Sequence, residues 1–594
     1  MCGITALFRY TNISESDKEK LALMNREMHY RGPDEEGIWT DTSCGLAHTR
    51  LSIIGLQNGR QPLFNEDKSL VLVCNGEIYN YIELKKSLEA KGHIFTSDTD
   101  SETILHLYEE YGVKCLEHVR GMFAFCLWNT RTKQLFAARD RIGEKTLYYS
   151  ILQTGVVFST ELKAIQKYFL DKTQIHARSL AECIRYNYPI DLKNTWIEQV
   201  KRLHAGEYAL VDAKGPEFHR YWKRDLTPRF NGTFEEAKNE TLRLMRESVH
   251  LCLRSDVPVA VLLSGGIDSS AIAALARESG REVHVITAGY NGEHACDERK
   301  TARRFAGEKG LNYHEVELDV DDFRELFQEY TKFIDEPVAD VSSMAQWALY
   351  KKAKALGFTV LLGGLGGDEL FYGYPEWNQT AESLKLKHTH QALFPWNGNR
   401  KKLAFLRFMA RHWQYVLKAG YPRQINDKTT VDWTYDDYLK FASTAVLNHD
   451  GEEISFSDID VHYSYPDGQC EIDQIYASTF DTFMTTLCLY LADRQGMGNS
   501  VEIRSPLVDY QLVEFVSSLP VEMKYRRSEP KFFIKEILNG IVPEYILNAP
   551  KRGFTPPFSF IHEMNSKYKY KRLESGHVFF NSMLADRMIS LILN

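Results

Sequence analysis

The sequence predicts two domains of different class. An α+β sandwich of sheets and helices occupies residues 2–205, and an α/β parallel-sheet domain with a largely helical C-terminal part occupies 233–594, with a linker at 206–232. Three observations carry this. A chain of 594 residues exceeds what one hydrophobic core supports. Residues 1–200 alternate short apolar strands with turns and hold few helices. From residue 259 strands and helices alternate, the pattern of a parallel sheet with a ligand crevice at the carboxyl ends of its strands.

In the first domain GMFAFCLWN (121–129) and LFAARD (135–140) read as paired strands, as do SLVLVCNGE (69–77) and GVVFS (155–159). YNYIELKKSLEAKG (79–92) and SETILHLYEEYG (101–112) read as helices, each ending on glycine. Around 205–232 helical periodicity is lost and Gly and Pro appear, which places the linker there. Thr233-Phe234-Glu235-Glu236 is a capping box opening a helix with Leu242, Met245, Val249 and Cys252 at helical spacing. VAVLLSGG (259–266), VHVITAG (283–289), NYHEVEL (312–318) and FTVLLGG (358–364) are the strands of the second domain, with a helix at SSAIAALARESG (269–280). Past 375 the chain reads mostly as helices. Among them RKKLAFLRFMARHWQYVLK (400–418) is basic and amphipathic, with Phe405, Leu406, Met409 and Trp413 at helical spacing.

Composition narrows the function. The chain is 44% apolar and 26% charged, as ordinary globular proteins are. A net charge of −8 argues against general polyanion binding, so no nucleic-acid partner is expected. No apolar run approaches the roughly 18 residues that span a bilayer, and MCGITALFRY is no signal peptide, so a cytoplasmic protein without a membrane span is expected. The ten cysteines are scattered and none are spaced C-x-x-C, which indicates neither a cysteine zinc site nor a disulfide framework.

Cys2 is the first candidate for chemistry. With Met1 removed, it carries a thiol (pKa roughly 8.5) and an α-amine (roughly 7.7–8.0) on one residue, so nucleophile and base coincide. Arg50, in GLAHTRLSI, is a planar cation suited to a carboxylate. Asn75, Gly76 and Glu77 close a strand, the first two offering a side-chain amide and an unhindered N–H to an oxyanion. Asp100, in SDTDSETIL, suits an ammonium group. Together these groups fit an α-amino acid whose side-chain amide Cys2 attacks.

MCGI, RGPDEEG, AHTRLSI, NGEIYNY, DSETIL and RDRIGEKTLYY follow the order found in the glutaminase domain of class II glutamine amidotransferases, which residues 1–200 resemble throughout. The resemblance implies an N-terminal-nucleophile fold in which Cys2 hydrolyses glutamine to glutamate and ammonia. It implies Arg50 on the glutamine carboxylate, Glu77 and Asp100 on its amino end, and Asn75 and Gly76 as the oxyanion hole. Thr146 stands where the family usually has proline, in a loop.

The second candidate is SGGIDSS (264–270), after an apolar strand. Ser264, Gly265 and Gly266 present hydroxyl and N–H donors at a helix N-terminus, which favours an anion. Asp268 would repel phosphate unless Mg²⁺ lay between them. LLGGLGGDELFYGY (361–374) is a second glycine-rich turn, with two carboxylates and no Gly-Lys-Ser/Thr, so it is not the common NTPase loop. These stretches, with RSDVP (254–258), DEPVADVSS (335–343), DRQGMGNSVEIRSPLVD (493–509) and KFFIK (531–535), resemble asparagine-synthetase-like enzymes over most of 230–560, and match poorly near 380–470. The resemblance implies an ATP-pyrophosphatase domain with ATP as co-substrate. Leu263, Ala288, Gly363 and Gly364 would line the adenosine pocket, Ser264, Gly265, Gly266 and Ser269 the phosphates. Mg²⁺ would sit on Asp268 and Asp368, and Lys531 would meet the pyrophosphate. It further implies a dry passage for ammonia between the sites and a homodimer.

One residue departs from the pattern. The family carries Ser-Gly-Glu-Gly before the Asp-Glu pair, and here the run is Gly363-Gly364-Leu365-Gly366. Leucine neither accepts a proton nor balances charge. Three readings follow. The first is a glutamine-dependent, asparagine-synthetase-type amide ligase acting on aspartate. The second keeps the mechanism but amidates another small carboxylate, such as a sugar uronic acid in surface-polysaccharide assembly. The third is a glutamine- or nucleotide-sensing pseudoenzyme, against which the intact polar residues weigh.

Overall fold

Two six-stranded antiparallel sheets stack face to face in the N-terminal domain of the computed structural model. It describes residues 2–378 apart from positions 171, 293, 295, 339, 341 and 376, then Ala381, the strand pair Val446–His449 and Glu452–Ser455, residues 470–550, and Pro556, Pro557 and Phe560. The basic helix expected at 400–418 lies outside the described residues.

One sheet orders its strands Lys201–Arg202, Tyr148–Leu152, Gly155–Ser159, Gly3–Arg9, Cys44–Arg50 and Glu35–Thr40. The other orders Gly215–Arg220, Glu207–Asp212, Gln134–Arg139, Gly121–Asn129, Leu70–Ile78 and Leu63–Phe64. Ile4, Phe8, Val71, Val73 and Trp128 belong to the core that joins them. Helices Tyr81–Glu89 and Glu102–Tyr111 cover the outside of the second sheet through Leu88, Ile104 and Leu105, and helices Glu15–Glu27 and Leu162–Tyr168 cover the first. Gly3–Arg9 is therefore buried on both faces and reads as a mostly apolar run, broken by Thr5 and Arg9, rather than an alternating one.

Two expectations change here. The strands near 69–77 and 155–159 form, but in different sheets: Leu70–Ile78 pairs with Gly121–Asn129, and Gly155–Ser159 pairs with Gly3–Arg9. Within the stretch read as a linker, Glu207–Asp212 and Gly215–Arg220 form a hairpin whose first strand pairs with Gln134–Arg139. Of that stretch, 206, 213–214 and 221–232 lack helix and strand. Two of the glycines that looked like linker composition, Gly206 and Gly215, sit with positive φ at the start of the hairpin and at the start of its second strand.

Helix Phe234–Cys252 opens the second domain behind the expected capping box, with both reciprocal bonds between Thr233 and Glu236 present. Met245, Val249 and Cys252 are buried beneath it. The parallel sheet runs Asn312–Leu318, His284–Tyr290, Val259–Leu262, Val360–Leu362, Glu502–Arg504. Strand order reverses between Val259–Leu262 and Val360–Leu362, which makes their carboxyl ends the natural ligand crevice. The fifth strand, Glu-Ile-Arg, is short and polar and gives no periodic signal.

Candidate active sites

The glutaminase-type site sits where three strands end. Gly3 is paired with Thr49, which brings Cys2 and Arg50 to one end of the first sheet. Leu70–Ile78, in the facing sheet, supplies Asn75 to Glu77. The backbone nitrogen of Cys2 donates to Asn75 Oδ1 at 3.0 Å. Asn75 Nδ2 is buried and makes no hydrogen bond, so an amide donor waits beside the thiol. Gly76 lies against Met122 and Phe123 of the neighbouring strand, and a Cβ there would overlap the Met122 carbonyl. Burial pushes the Cys2 thiol up, opposed by the Leu51 backbone amide and the Arg50 guanidinium. The thiol is thus held protonated until a base takes its proton.

Arg50 is fixed rather than free. It donates to Glu35 at 2.6 Å and to the carbonyls of Ile54 and Gly55 at 3.1 and 2.7 Å. Asp100 accepts from the Ile78 N–H at 2.5 Å. Burial pushes its pKa above the ordinary aspartate value despite that bond. Glu77 is raised well above the ordinary glutamate range by burial, then by Glu502 and Asp100, with Arg504 opposing. Two neighbouring buried carboxyls short of positive charge are what an α-ammonium group would complete.

Arg504 and Glu502 were not foreseen as neighbours of this site. They come from the edge strand of the second domain, and Arg504 Nη2 lies 3.4 Å from Glu77 Oε2. Its Nε binds Glu502 at 2.6 Å, and its Nη1 donates to the carbonyls of Cys252 and Arg254. The backbone carbonyl of the same arginine accepts the Gly363 N–H at 2.8 Å, at the second site. Only tertiary structure puts one residue at both places.

The second site is a cavity of about 660 Å³ at the strand-order reversal. Leu263, Ser264, Gly265, Gly266, Asp268, Ser269, Ala288, Gly363, Gly364, Asp368 and Lys531 all line it, so every residue expected to handle nucleotide or metal is gathered there. Lys531 is ion-paired with Asp268 and lies 2.9 Å from Asp368 Oδ1. Burial works against the ammonium, but these two carboxylates hold it well above the ordinary lysine range. The glycines of 361–374 have a role beyond facing a nucleotide. A Cβ on Gly367 would overlap the Asp268 carboxylate, and one on Gly373 would overlap Asp368 and approach Lys531 Cε. The glycine-rich stretch closes around an Asp–Lys–Asp cluster.

Leu365 lines the same cavity with Leu349, Tyr350 and Phe483, and its side chain packs into both adjoining hydrophobic clusters. Glu369 is buried and accepts a hydrogen bond from Tyr374 Oη, with Cys488 Sγ at 4.0 Å. Phe483 lies on a π-helical stretch, Phe480–Cys488, an irregularity often found beside ligand sites.

An antiparallel sandwich with Cys2 buried beside Asn75, joined to a cavity at the strand ends of a parallel sheet, is the arrangement of a glutamine-dependent carbon–nitrogen ligase. Residues 1–222 match the glutamine amidotransferase domain family, and residues 240–573 match the asparagine synthase family. The chain is 31% identical over 568 residues to asparagine synthetase [glutamine-hydrolyzing] 1 of Bacillus subtilis, covering 94% of this chain and 87% of that one. It is 31% identical over 563 residues to a putative asparagine synthetase [glutamine-hydrolyzing] of Mycobacterium tuberculosis, covering 90% and 84%. It is also 29% identical over 620 residues to amidase chry2 of Gibberella zeae, covering 94% and 89%. The chain belongs to the asparagine synthase family and is a glutamine-dependent amide ligase with ATP as co-substrate. No helix among the described residues is long and apolar enough to cross a membrane.

Proposed function

We propose that the chain amidates aspartate in two coupled half-reactions. In the first, Cys2 Sγ attacks the side-chain amide of glutamine. The Cys2 α-amine, freed by loss of Met1, takes the thiol proton and returns it to the leaving ammonia. Asn75 Nδ2 and the Gly76 N–H receive the oxyanion. Arg50 meets the substrate carboxylate, and Glu77 and Asp100 meet its ammonium. The observation that carries this half is Asn75, with one end on the Cys2 nitrogen and the other buried and unsatisfied.

In the second half-reaction the acceptor carboxylate attacks the α-phosphorus of ATP, AMP becomes its leaving group, and ammonia displaces AMP. The oxygen-only pair Asp268 and Asp368, within a glycine cradle, fits Mg²⁺. When bound, that ion neutralises phosphate charge as pyrophosphate departs. Lys531 would exchange its carboxylate partners for the pyrophosphate. A homodimer belongs to the proposal, to be checked by sedimentation.

Leu365 favours a second reading, in which the acceptor is another carboxylate such as a sugar uronic acid. An apolar wall of Leu365, Leu349 and Phe483 suits a bulkier or less charged acceptor than aspartate. The test is pyrophosphate release with glutamine and ATP, first with aspartate and then with a panel of uronic and other carboxylic acids. Robust turnover with aspartate supports the first reading. Turnover confined to another acid supports the second, and no release with any acceptor overturns both in favour of a sensor.

A further inference from the structure

Beside the helices that cover the second sheet, three separate segments bring two histidines and two glutamates together. We propose that Glu66, His93, His106 and Glu109 bind one divalent transition-metal ion of the zinc class. One ligand atom from each lies within 4.8 Å of the other three. His106 Nδ1 is 3.1 Å from Glu109 Oε2 and 3.7 Å from Glu66 Oε1. His93 Nδ1 is 3.4 Å from the same Glu109 oxygen. His106 and Glu109 stand three apart on one helix, which puts both on one face.

A second observation lies outside these four residues. His93 turns its other ring nitrogen to an outer carboxylate, Nε2 meeting Glu110 Oε1 at 3.1 Å, while His106 Nε2 lies 3.6 Å from Glu102 Oε1 without a hydrogen bond. Metal-binding histidines are usually oriented in this way, because an outer acceptor fixes the tautomer and leaves the inner nitrogen's lone pair for the metal. Glu102 is itself fully buried and anchored by the N–H and hydroxyl groups of both Thr96 and Ser97. Glu109 is oriented as well, since its Oε1 accepts from Asn65 Nδ2 at 2.8 Å while Oε2 faces the histidines. Glu66 Oε1 accepts from the Ile94 N–H at 2.9 Å.

Two imidazoles and two carboxylates form a nitrogen–oxygen set that suits Zn²⁺ and its neighbours and does not select Mg²⁺. The site needs no cysteine, so cysteine spacing gives no sign of it. Bound metal would pin residues 93–97 to helix Glu102–Tyr111 just ahead of Asp100, stiffening the approach to the glutamine site.

The test uses the full chain carrying Cys2→Ala, which removes the N-terminal thiol–amine chelate, stripped by chelator and titrated with Co²⁺. The expected result is one equivalent of Co²⁺ with visible d–d absorption and no thiolate charge-transfer band. Zn²⁺ displaces it, Mg²⁺ does not, and Zn²⁺ raises the thermal midpoint. His93→Ala and Glu109→Gln should each weaken binding by about tenfold or more. No d–d absorption overturns the proposal, as does a thiolate band or binding unchanged in both variants. Each of those results leaves a plain histidine–glutamate ion-pair network in the metal's place.

Discussion

At the junction between the domains, Arg31, Arg494, Lys145 and Lys163 face Glu161, Asp493 and Asp335. Elsewhere at the same junction Arg504 faces Glu77 and Glu502, with Lys145 also acting on Glu502 and Asp100 acting on Glu77 from its own domain. Both groups are buried, and the protein treats Glu77 and Asp100 in the opposite way to Glu161 and Asp493, while Glu502 is lowered against its burial by Arg504. Glu161 is brought down to about 2 against its burial by Arg494, Lys163 and Arg31. Asp493 is lowered by Arg31 and Lys145. Glu77 and Asp100 are raised. Asp335 is the exception in the first group, because burial and Glu161 outweigh Arg494 and lift it to about 7. Where positive charge suffices, the cluster joins domains, and Arg31 even ties the Cys2 carbonyl to Asp493. Where it falls short, the proposed role of Glu77 and Asp100 in holding the glutamine ammonium would supply the missing cation.

Removing the Cys2 thiol should separate binding from turnover. Cys2→Ala should lower glutamine-dependent amide synthesis by ~10³-fold or more while ammonia-dependent synthesis persists. Glutamine should still bind, since the Glu77 cluster is untouched. Steady-state rates with each nitrogen source check this.

The sharpest contrast compares one carboxylate from each cluster. Glu161→Gln leaves Arg31 and Arg494 short of a buried partner and should cost about 3–5 kcal/mol in chemical denaturation. Glu77→Gln relieves a surplus, so stability should change by less than about 1 kcal/mol, while the KM for glutamine rises ~10–100-fold with the lost charge-assisted contact. Equal destabilisation by both, with KM unchanged, would break the comparison.

The smallest effect is on pH. Glu77 and Asp100 have raised values in the fold, so the stability they lend is full below the unfolded carboxylate range and is lost as pH rises through the raised values. The thermal midpoint of ligand-free protein should therefore fall over that range. Saturating glutamine should flatten the fall, as differential scanning at several pH values will show.

Much of this was legible in the chain itself. Cys2, Arg50, Asn75 and Asp100 sit in short local motifs at strand or helix ends, and such motifs survive reading in one dimension. The nucleotide-type cavity was legible because SGGIDSS and GGLGGDELF follow apolar strands. Arg504 was not, because a three-residue polar strand has no periodicity and its reach into the other domain is a tertiary fact. The second role of Gly367 and Gly373 was hidden for the same reason: their neighbours come from positions 268 and 531. The hairpin at 207–220 was misread because edge strands and linkers share Gly, Pro and charge.

The most direct test is calorimetric titration of L-glutamine into the Cys2→Ala protein in two buffers of different ionisation enthalpy near neutral pH. Net proton release on binding is expected, because the glutamine ammonium would favour the ionised forms of Glu77 and Asp100, which burial disfavours in the ligand-free protein. Proton uptake, or binding with no proton exchange, would contradict it.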